Sequence, residues 1–354
     1  MIKSKVMNVG MIGLGGMAEA HRKAMGKIEC LQLGALCDVD EDILNKIGDE
    51  EAIRENKRYT KMEELVADPE VDAIISIVPN HLHAYVLKLC IQHKKPIMAE
   101  KPFTLNFDEA EELAALYEKQ PIPCMVGFSY RYIPSFRYTK KLLEKEKIGS
   151  IRHIAVRYLQ SFGAPLFEVP YLWRFNKALT GTGALGDLGS HMIDSARFFV
   201  GEFHSLSALT KTFVQERKDP ISGEMVKVEV DDYASFQAVL EHDVIGNFVT
   251  TRHAVGSGNQ LEITLYGDFG TIHLNCERPN EVDICVKDAE DKAPAFKTIQ
   301  VPDGYEKQQL QDFADLIRGQ SAQEMPNFYD GYQNQKVLEK IIQSAESGQF
   351  VKVN

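Results

Sequence analysis

The chain has 354 residues, enough for two domains, and its 44% hydrophobic and 26% charged content is ordinary for a water-soluble globular fold. A formal net charge of -11 with no basic tract argues against nucleic acid or an anionic membrane surface as the main partner, and no apolar run approaches the ~20 residues needed to span a bilayer. The six cysteines are scattered with no Cys-x-x-Cys pair, and Met1–Lys5 leads into the first strand without the apolar stretch of a secretory leader, so reduced thiols and a cytoplasmic location are expected.

Val6 to Ile12 reads as a compact apolar strand, followed by Gly13-Leu14-Gly15-Gly16-Met17-Ala18 and a helix through His21 to Met25. This is Gly-x-Gly-x-x-Ala between a strand and a helix. The first glycine permits the tight turn, the second lets the backbone approach a pyrophosphate, and Ala18 lets the helix pack closely on the strand. Phosphate is then received by amides at the helix N-terminus. A glycine-rich turn with no ligand is the plain alternative. The next strand, Leu31 to Cys37, ends at Asp38, about the ~20 residues beyond the glycines at which a ribose-binding carboxylate stands. A carboxylate there accepts hydrogen bonds from ribose hydroxyls and repels a 2′-phosphate, and Val39 and Asp40 add no positive charge. NAD is therefore expected in preference to NADP. A capping role for Asp38 at the helix from Glu41 is compatible with this.

The alternation continues with a helix at Lys61 to Val66, a strand at Val71 to Val78 and the segment Pro79-Asn80-His81-Leu82-His83. A helix at Ala84 to His93, a strand at Pro96 to Ala99, a helix at Asn106 to Lys119 and a strand at Pro123 to Gly127 follow. Strands alternating with helices predict a doubly wound parallel sheet, which presents ligands at the carboxyl ends of its strands. Pro79 and Asn80 are thus expected beside the cofactor. Glu100 and Lys101, in Ala99-Glu100-Lys101-Pro102, are expected in the crevice, with Lys101 between dinucleotide and substrate; a surface lysine in a turn is the alternative. The Lys101–Pro102 bond is expected to be cis. His81 and His83 have no acidic or cysteine partner nearby, so no metal is expected, and His83 more simply begins a helix and bonds locally.

The pattern changes after Tyr130, which sets the boundaries at 1–128 for the dinucleotide domain and 129–354 for a substrate-binding and oligomerisation domain. Pro134 to Lys147 reads as a helix, Ile151 to Gln160 as a strand, Ser161 to Thr180 as a long loop with the single tryptophan in Tyr171-Leu172-Trp173-Arg174, and Gly183 to Val200 as a helix. Strands at Ser205 to Val214, Asp232 to Leu240, Val244 to Thr251, Gln260 to Tyr266 and Thr271 to Leu274, joined by short turns, predict a large, mostly antiparallel open sheet in an α+β domain. Helices at Glu306 to Ile317 and Tyr329 to Ser347 close the chain. Apolar residues on both phases around Leu261 to Tyr266 predict an apolar outer sheet face and a homodimer or homotetramer built on it. In Gly181 to Asp194, glycines at a helix start imply close approach of backbone to a ligand or to the other domain. Asp187 and His191, four apart, share a helix face. The histidine can exchange a proton near neutral pH, while a structural pair is the alternative.

Gly13 to Ala18, Glu100-Lys101-Pro102, and Gly183-Ala184-Leu185-Gly186-Asp187-Leu188-Gly189-Ser190-His191-Met192-Ile193-Asp194 together resemble the glucose-fructose oxidoreductase, inositol dehydrogenase and rhizopine catabolism (Gfo/Idh/MocA) family, in order and over essentially the whole chain. Pro79-Asn80 with His83, Tyr130-Arg131 and Trp173-Arg174 also resemble family positions. The resemblance implies NAD-dependent oxidation of a secondary alcohol on a sugar, inositol or related polyol, or the reverse reduction. It matches Lys101, Asp187 and His191 to the family's catalytic lysine, aspartate and histidine. It implies cofactor contacts at Gly13, Gly15, Gly16, Met17, Ala18, Asp38, Pro79, Asn80, His83, Glu100 and Lys101. It implies substrate contacts at Tyr130, Arg131, Trp173, Arg174, Asp187 and His191, with the cofactor's ribose as the alternative partner of Arg174, although packing at the domain seam explains the first four equally well. Two other functions stand beside it: a sensor that binds NAD and sugar without turnover, and a glycosidase that oxidises and re-reduces its substrate.

Overall fold

The computed structural model describes residues 6–286, 293–320 and 324–353, so the lead-in over residues 1–5 lies outside the described residues. The chain divides into two compact units, Met1–Gly127 with Gln308–Tyr332, and Phe128–Lys307 with Gln333–Asn354.

In the first unit, β1 (Met7–Ile12), β2 (Leu31–Cys37), β3 (Arg58–Tyr59), β4 (Ala73–Ser76), β5 (Ile97–Ala99) and β6 (Cys124–Val126) form a six-stranded parallel sheet in the order β3-β2-β1-β4-β5-β6. Every residue of β4, β5 and β6 is buried, because helices cover both faces of such a sheet. The strand order reverses between β1 and β4, the switch point at which parallel sheets of this kind bind ligands. Side-chain caps fix the helix starts. Asp40 accepts the amides of Asp42 and Ile43 ahead of Glu41–Glu50, and Asn106 accepts the Glu109 amide ahead of Phe107–Lys119 while the Glu109 carboxylate accepts the Leu105 amide. The Lys101–Pro102 peptide is cis.

A single boundary at residue 128 does not describe these units. Leu310, Phe313, Ala314 and Met325 pack into the same core as Val9, Met11, Ile75 and Met125. The edge strand β6 is covered by the returning chain, with the Val126 amide donating to Pro326 O at 3.0 Å. An uncovered edge would offer its amides and carbonyls to another chain. Phe328 stacks on Tyr117 with ring centroids 3.9 Å apart.

The second unit holds β7 (Ile151–Gln160), β8 (Phe203–Lys211), β9 (Glu216–Lys218), β10 (Met225–Lys227), β11 (Tyr233–Leu240), β12 (Ile245–Thr251), β13 (Asn259–Gly267), β14 (Gly270–Asn275), β15 (Glu281–Val286), β16 (Lys297–Gln300) and β17 (Val351–Lys352). Nine of these form one sheet in the order β16-β15-β14-β13-β7-β12-β11-β8-β17, and β9 pairs with β10 apart from it. All neighbours in the large sheet are antiparallel except β7 and β12. Alternate residues point into the core, where Ile154, Val156, Phe236, Ile263 and Leu265 pack with Leu185, Leu188, Met192 and Ile193.

The outer face differs from the apolar one expected. Leu261, Ile263 and Leu265 all lie on the inner phase, buried. The outer positions are mixed: polar pairs of Arg157 with Glu262, Asn247 with His153 at 2.7 Å, and Thr264 with His273 at 2.9 Å stand beside exposed Ile245 and Tyr266. The His153 ring stacks on Tyr266.

Candidate functional site

In the first unit, Gly13 turns the chain out of β1 at φ +88°, where a Cβ would stand 2.6 Å from Ile77 O, so only glycine fits. A Cβ on Gly15 or Gly16 would meet nothing within 4 Å, which leaves that side of the turn open to a ligand. The helix Ala18–Met25 follows, and the amides of a helix's first turn have no intrahelical acceptors. Asp38, just past β2, braces the turn: its Oδ2 accepts the Leu14 amide at 2.7 Å and its Oδ1 the Asp40 amide at 3.0 Å. An open glycine turn, a helix N-terminus and a carboxylate at the neighbouring strand end together fit a dinucleotide.

Lys101 follows the end of β5 and is placed by Glu100. The Glu100 carboxylate lies 2.8 Å from His21 Nε2 and 3.2 Å from the Lys101 amide. Burial alone would raise its pKa, but the hydrogen bond and charge of His21, with the charge of Lys101, outweigh that and hold it below the usual carboxylate range. His21 belongs to the helix that follows the glycine turn. Glu100 therefore ties that helix to the strand end carrying Lys101.

In the second unit, the glycine-rich segment begins on Asp231. The Gly183 amide donates to Asp231 Oδ1 and the Leu185 amide to Oδ2, each at 2.7 Å, while the Ala184 amide donates to Asp231 O at 2.9 Å. A Cβ on Gly183 would lie 1.9 Å from Asp231 O, so this glycine brings two stretches of backbone of the same unit together. Burial pushes the Asp231 carboxyl up, against the pull of the two amides. Leu185–Gly189 is a π-helical turn that runs into the helix Ser190–Phe199. Such turns recur at functional sites because they re-aim side chains. This one carries Asp187, and the helix after it carries His191.

His191 is only 7% exposed, with the Tyr130 ring 4.6 Å away and edge-on. The Tyr130 hydroxyl belongs to a closed ring of hydrogen bonds. Asn259 Nδ2 donates to it at 2.9 Å, and Tyr158 donates to Asn259 Oδ1 at 2.6 Å. That leaves Tyr130 as the donor in its 2.6 Å bond to Tyr158, and its oxygen meets any further group as an acceptor. Burial raises the pKa of both tyrosines, so both stay protonated near neutral pH. The Asp187 carboxylate is held on one side, its Oδ2 accepting from Arg252 Nη2 at 2.7 Å.

A family model described as the oxidoreductase family, NAD-binding Rossmann fold, matches residues 7–128, and one described as the GFO/IDH/MocA C-terminal domain matches residues 136–273. The chain belongs to the Gfo/Idh/MocA oxidoreductase family. Among the relatives of this Gfo/Idh/MocA chain, levoglucosan dehydrogenase of Pseudarthrobacter phenanthrenivorans is 28% identical over 98% of both chains. An uncharacterised oxidoreductase of Synechocystis sp. is 30% identical over 78% of this chain and 74% of its own. The solved structure of levoglucosan dehydrogenase in complex with NADH and L-sorbose superposes with a TM-score of 0.91 at 27% identity, covering 98% of this chain and 99% of that one.

The Gfo/Idh/MocA chain places its sequence-predicted residues unevenly. Gly13, Gly15, Gly16, Met17, Ala18 and Asp38 form the turn described above, and Pro79 and Asn80 open the 3-10 turn after β4. His83 is not turned toward a ligand. It is buried, with Nδ1 2.6 Å from Pro102 O and Nε2 2.9 Å from Val78 O, and burial lowers its pKa against the pull of those carbonyls. It joins the loops after β4 and β5. Arg131 is likewise a core residue, 5% exposed, its Nη2 2.6 Å and its Nε 2.9 Å from the Asp194 carboxylate, beneath the Phe198 ring. The guanidinium thus directs its Nε and Nη2 donors to a buried carboxylate. Trp173 is 40% exposed, with the Arg174 guanidinium 4.7 Å over its ring. Sequence reading missed Tyr158, Asn259, Asp231 and Arg252. The available signals were an arginine straight after an apolar strand, at Thr251-Arg252, and the acidic pair Asp231-Asp232 straight before one. Among the described residues, no three His, Cys, Asp or Glu side chains cluster as a metal site, and no helix is long and apolar enough to cross a membrane.

Proposed function

We propose that this chain is an NAD-dependent dehydrogenase that interconverts a secondary alcohol and a ketone on a sugar, inositol or related polyol. The observation that carries the reading is that Lys101, just past β5, Asp187, in the π-helical turn, and His191, at the start of the helix after it, all stand in a chain that also has the open glycine turn. His191 takes the hydroxyl proton as general base. Lys101 donates a hydrogen bond to the same oxygen and stabilises its developing negative charge. Asp187 accepts from a neighbouring hydroxyl and orients His191, and Tyr130 offers a second hydroxyl acceptor. Trp173 presents a flat apolar face to a sugar ring, with Arg174 beside it. Bound NAD supplies the hydride acceptor.

Named relatives support this substrate class: levoglucosan dehydrogenase, glucose-6-phosphate 3-dehydrogenase, myo-inositol 2-dehydrogenase and D-apiose dehydrogenase. The test is NADH formation with levoglucosan, glucose 6-phosphate, myo-inositol and apiose. Steady NADH release on at least one is expected. Binding without turnover would make the chain a sensor, and product without net NADH would make it a glycosidase.

Asp38 sets the preference for NAD over NADP, because a 2′-phosphate beside it and Asp40 is a like-charge clash. On the polyol turned over fastest, kcat/KM should favour NAD, and Asp38→Ala should shrink that preference about tenfold, worth ~1.4 kcal/mol. Equal use of NADP by the unmodified protein would remove Asp38 from this role. The large sheet of the second unit is the surface for a homodimer or homotetramer, with its mixed outer face as the contact, and the protein works in the cytoplasm. A monomeric mass by light scattering at micromolar concentration would rule the assembly out.

A further inference from the structure

Arg252 lies immediately after β12 and is 2% exposed, whereas the side chain of its partner Asp187 is 28% exposed. Burying a guanidinium is costly unless its donors are satisfied. A second buried arginine of the same unit has more of its donors met: Arg217 gives Nη1 to Val169 O at 2.9 Å and Nη2 to Gly163 O at 2.5 Å, with Nε alone lacking a partner among the described residues. Arg252 does otherwise. Its Nη2 goes to Asp187, while Nε and Nη1 have no hydrogen-bond partner among the described residues. Its backbone is fixed on both sides, the amide donating to Asp232 O at 3.1 Å and the carbonyl accepting the Gly163 amide at 2.8 Å. Its guanidinium sits 5.5 Å over the Phe162 ring. The site thus keeps a rigid cation in the core whose one hydrogen bond is directed at a partly exposed carboxylate.

We infer that Arg252 is a positioning residue for the reaction, holding Asp187 Oδ2 from the core so that Oδ1 is presented to a substrate hydroxyl or to His191. This rests on the reading that places Asp187 in the chemistry. Charged or titratable groups around the pair include His191 on the same helical segment, Asp231 and Arg217, which feel the Arg252 charge, Tyr130 and Tyr158, which feel that of Asp187, and the chain neighbours Asp232 and His253. Removing the cation leaves the Asp187 charge without that compensation beside the general base His191, so the acid limb of the kcat profile, where that base is lost, moves to higher pH.

The experiment compares Arg252→Met, Arg252→Lys, Asp187→Asn and the double variant Asp187→Asn/Arg252→Met, using the fastest polyol of the panel and NADH fluorescence titration. Arg252→Met is expected to lower kcat on the order of 10- to 100-fold, to raise the acid limb and to leave NADH affinity unchanged. Arg252→Lys restores most of kcat, because the contact is a single bond that an ammonium can make. The double variant matches Asp187→Asn, because Arg252 acts through Asp187. The double variant leaves neither charge orphaned and keeps the test open if Arg252→Met does not fold. Wild-type kcat and pH profile in folded Arg252→Met overturn the inference, as does a double variant slower than Asp187→Asn. Wild-type kcat in Asp187→Asn overturns the catalytic reading of Asp187 itself.

Discussion

At the scale of single residues, type and local motif locate a side chain but not the direction it faces. The turn at Gly13 and the place of Asp38 just past β2 are legible because both depend on neighbours within one strand–turn–helix unit. Arg131 and His83 are not. Asp194, the partner of Arg131, lies 63 residues further along, and nothing local to Tyr130-Arg131 announces it. Arg252 was missed for the same reason, since its 65-residue separation from Asp187 is closed only by the fold. Arg131→Met therefore removes the guanidinium from a buried ion pair and should cost about 3–5 kcal/mol in chemical denaturation. KM for the polyol should be unchanged in the folded fraction. Unaltered stability with a raised KM would return Arg131 to the substrate site.

At the scale of elements, the alternation of strands and helices in the first unit and the runs of β in the second could be read from period and punctuation alone. Three-residue strands such as β9 and β10 could not, because they are too short to show a period. The π-helical turn at Leu185–Gly189 was also hidden, since Gly186 answers to Thr182 and Gly189 to Leu185 and not to a helical pattern. The glycine turn after β1 yields a paired prediction. Gly13→Ala places a Cβ 2.6 Å from Ile77 O at a positive φ, so both the melting temperature and NADH affinity should fall. Gly15→Ala meets nothing within 4 Å, so the melting temperature should hold while NADH affinity drops tenfold or more, in the order of ~1.4 kcal/mol. Undiminished NADH binding by Gly15→Ala would mean that no pyrophosphate approaches that backbone.

At the scale of the whole molecule, the break near residue 128 was legible but the later return of the chain to the first unit was not. The return of Gln308–Tyr332 to the first unit depends on Leu310 and Phe313 finding a core laid down near the start of the chain, which no local pattern records. Stability against acid is likewise a property of assembled groups. Asp68 accepts from Lys57 Nζ at 2.6 Å, the Tyr59 hydroxyl at 2.7 Å and the Glu70 amide at 2.9 Å. Burial would raise its pKa, but these partners hold it below the ordinary 3.8. A lowered carboxyl contributes stability that is complete above its unfolded pKa and lost as pH falls through the folded one. The stability gap between the unmodified protein and Asp68→Asn should thus be full at neutral pH and shrink below pH 3.8; a gap that persisted in acid would contradict the pairing. The catalytic assignment is tested most directly by measuring kcat and NADH affinity side by side for the unmodified protein, His191→Ala, Lys101→Ala and the double variant. Each single change should lower kcat on the order of 10²-fold or more, less than additively in the double, with NADH affinity held. Near-wild-type kcat in both single variants would contradict the account.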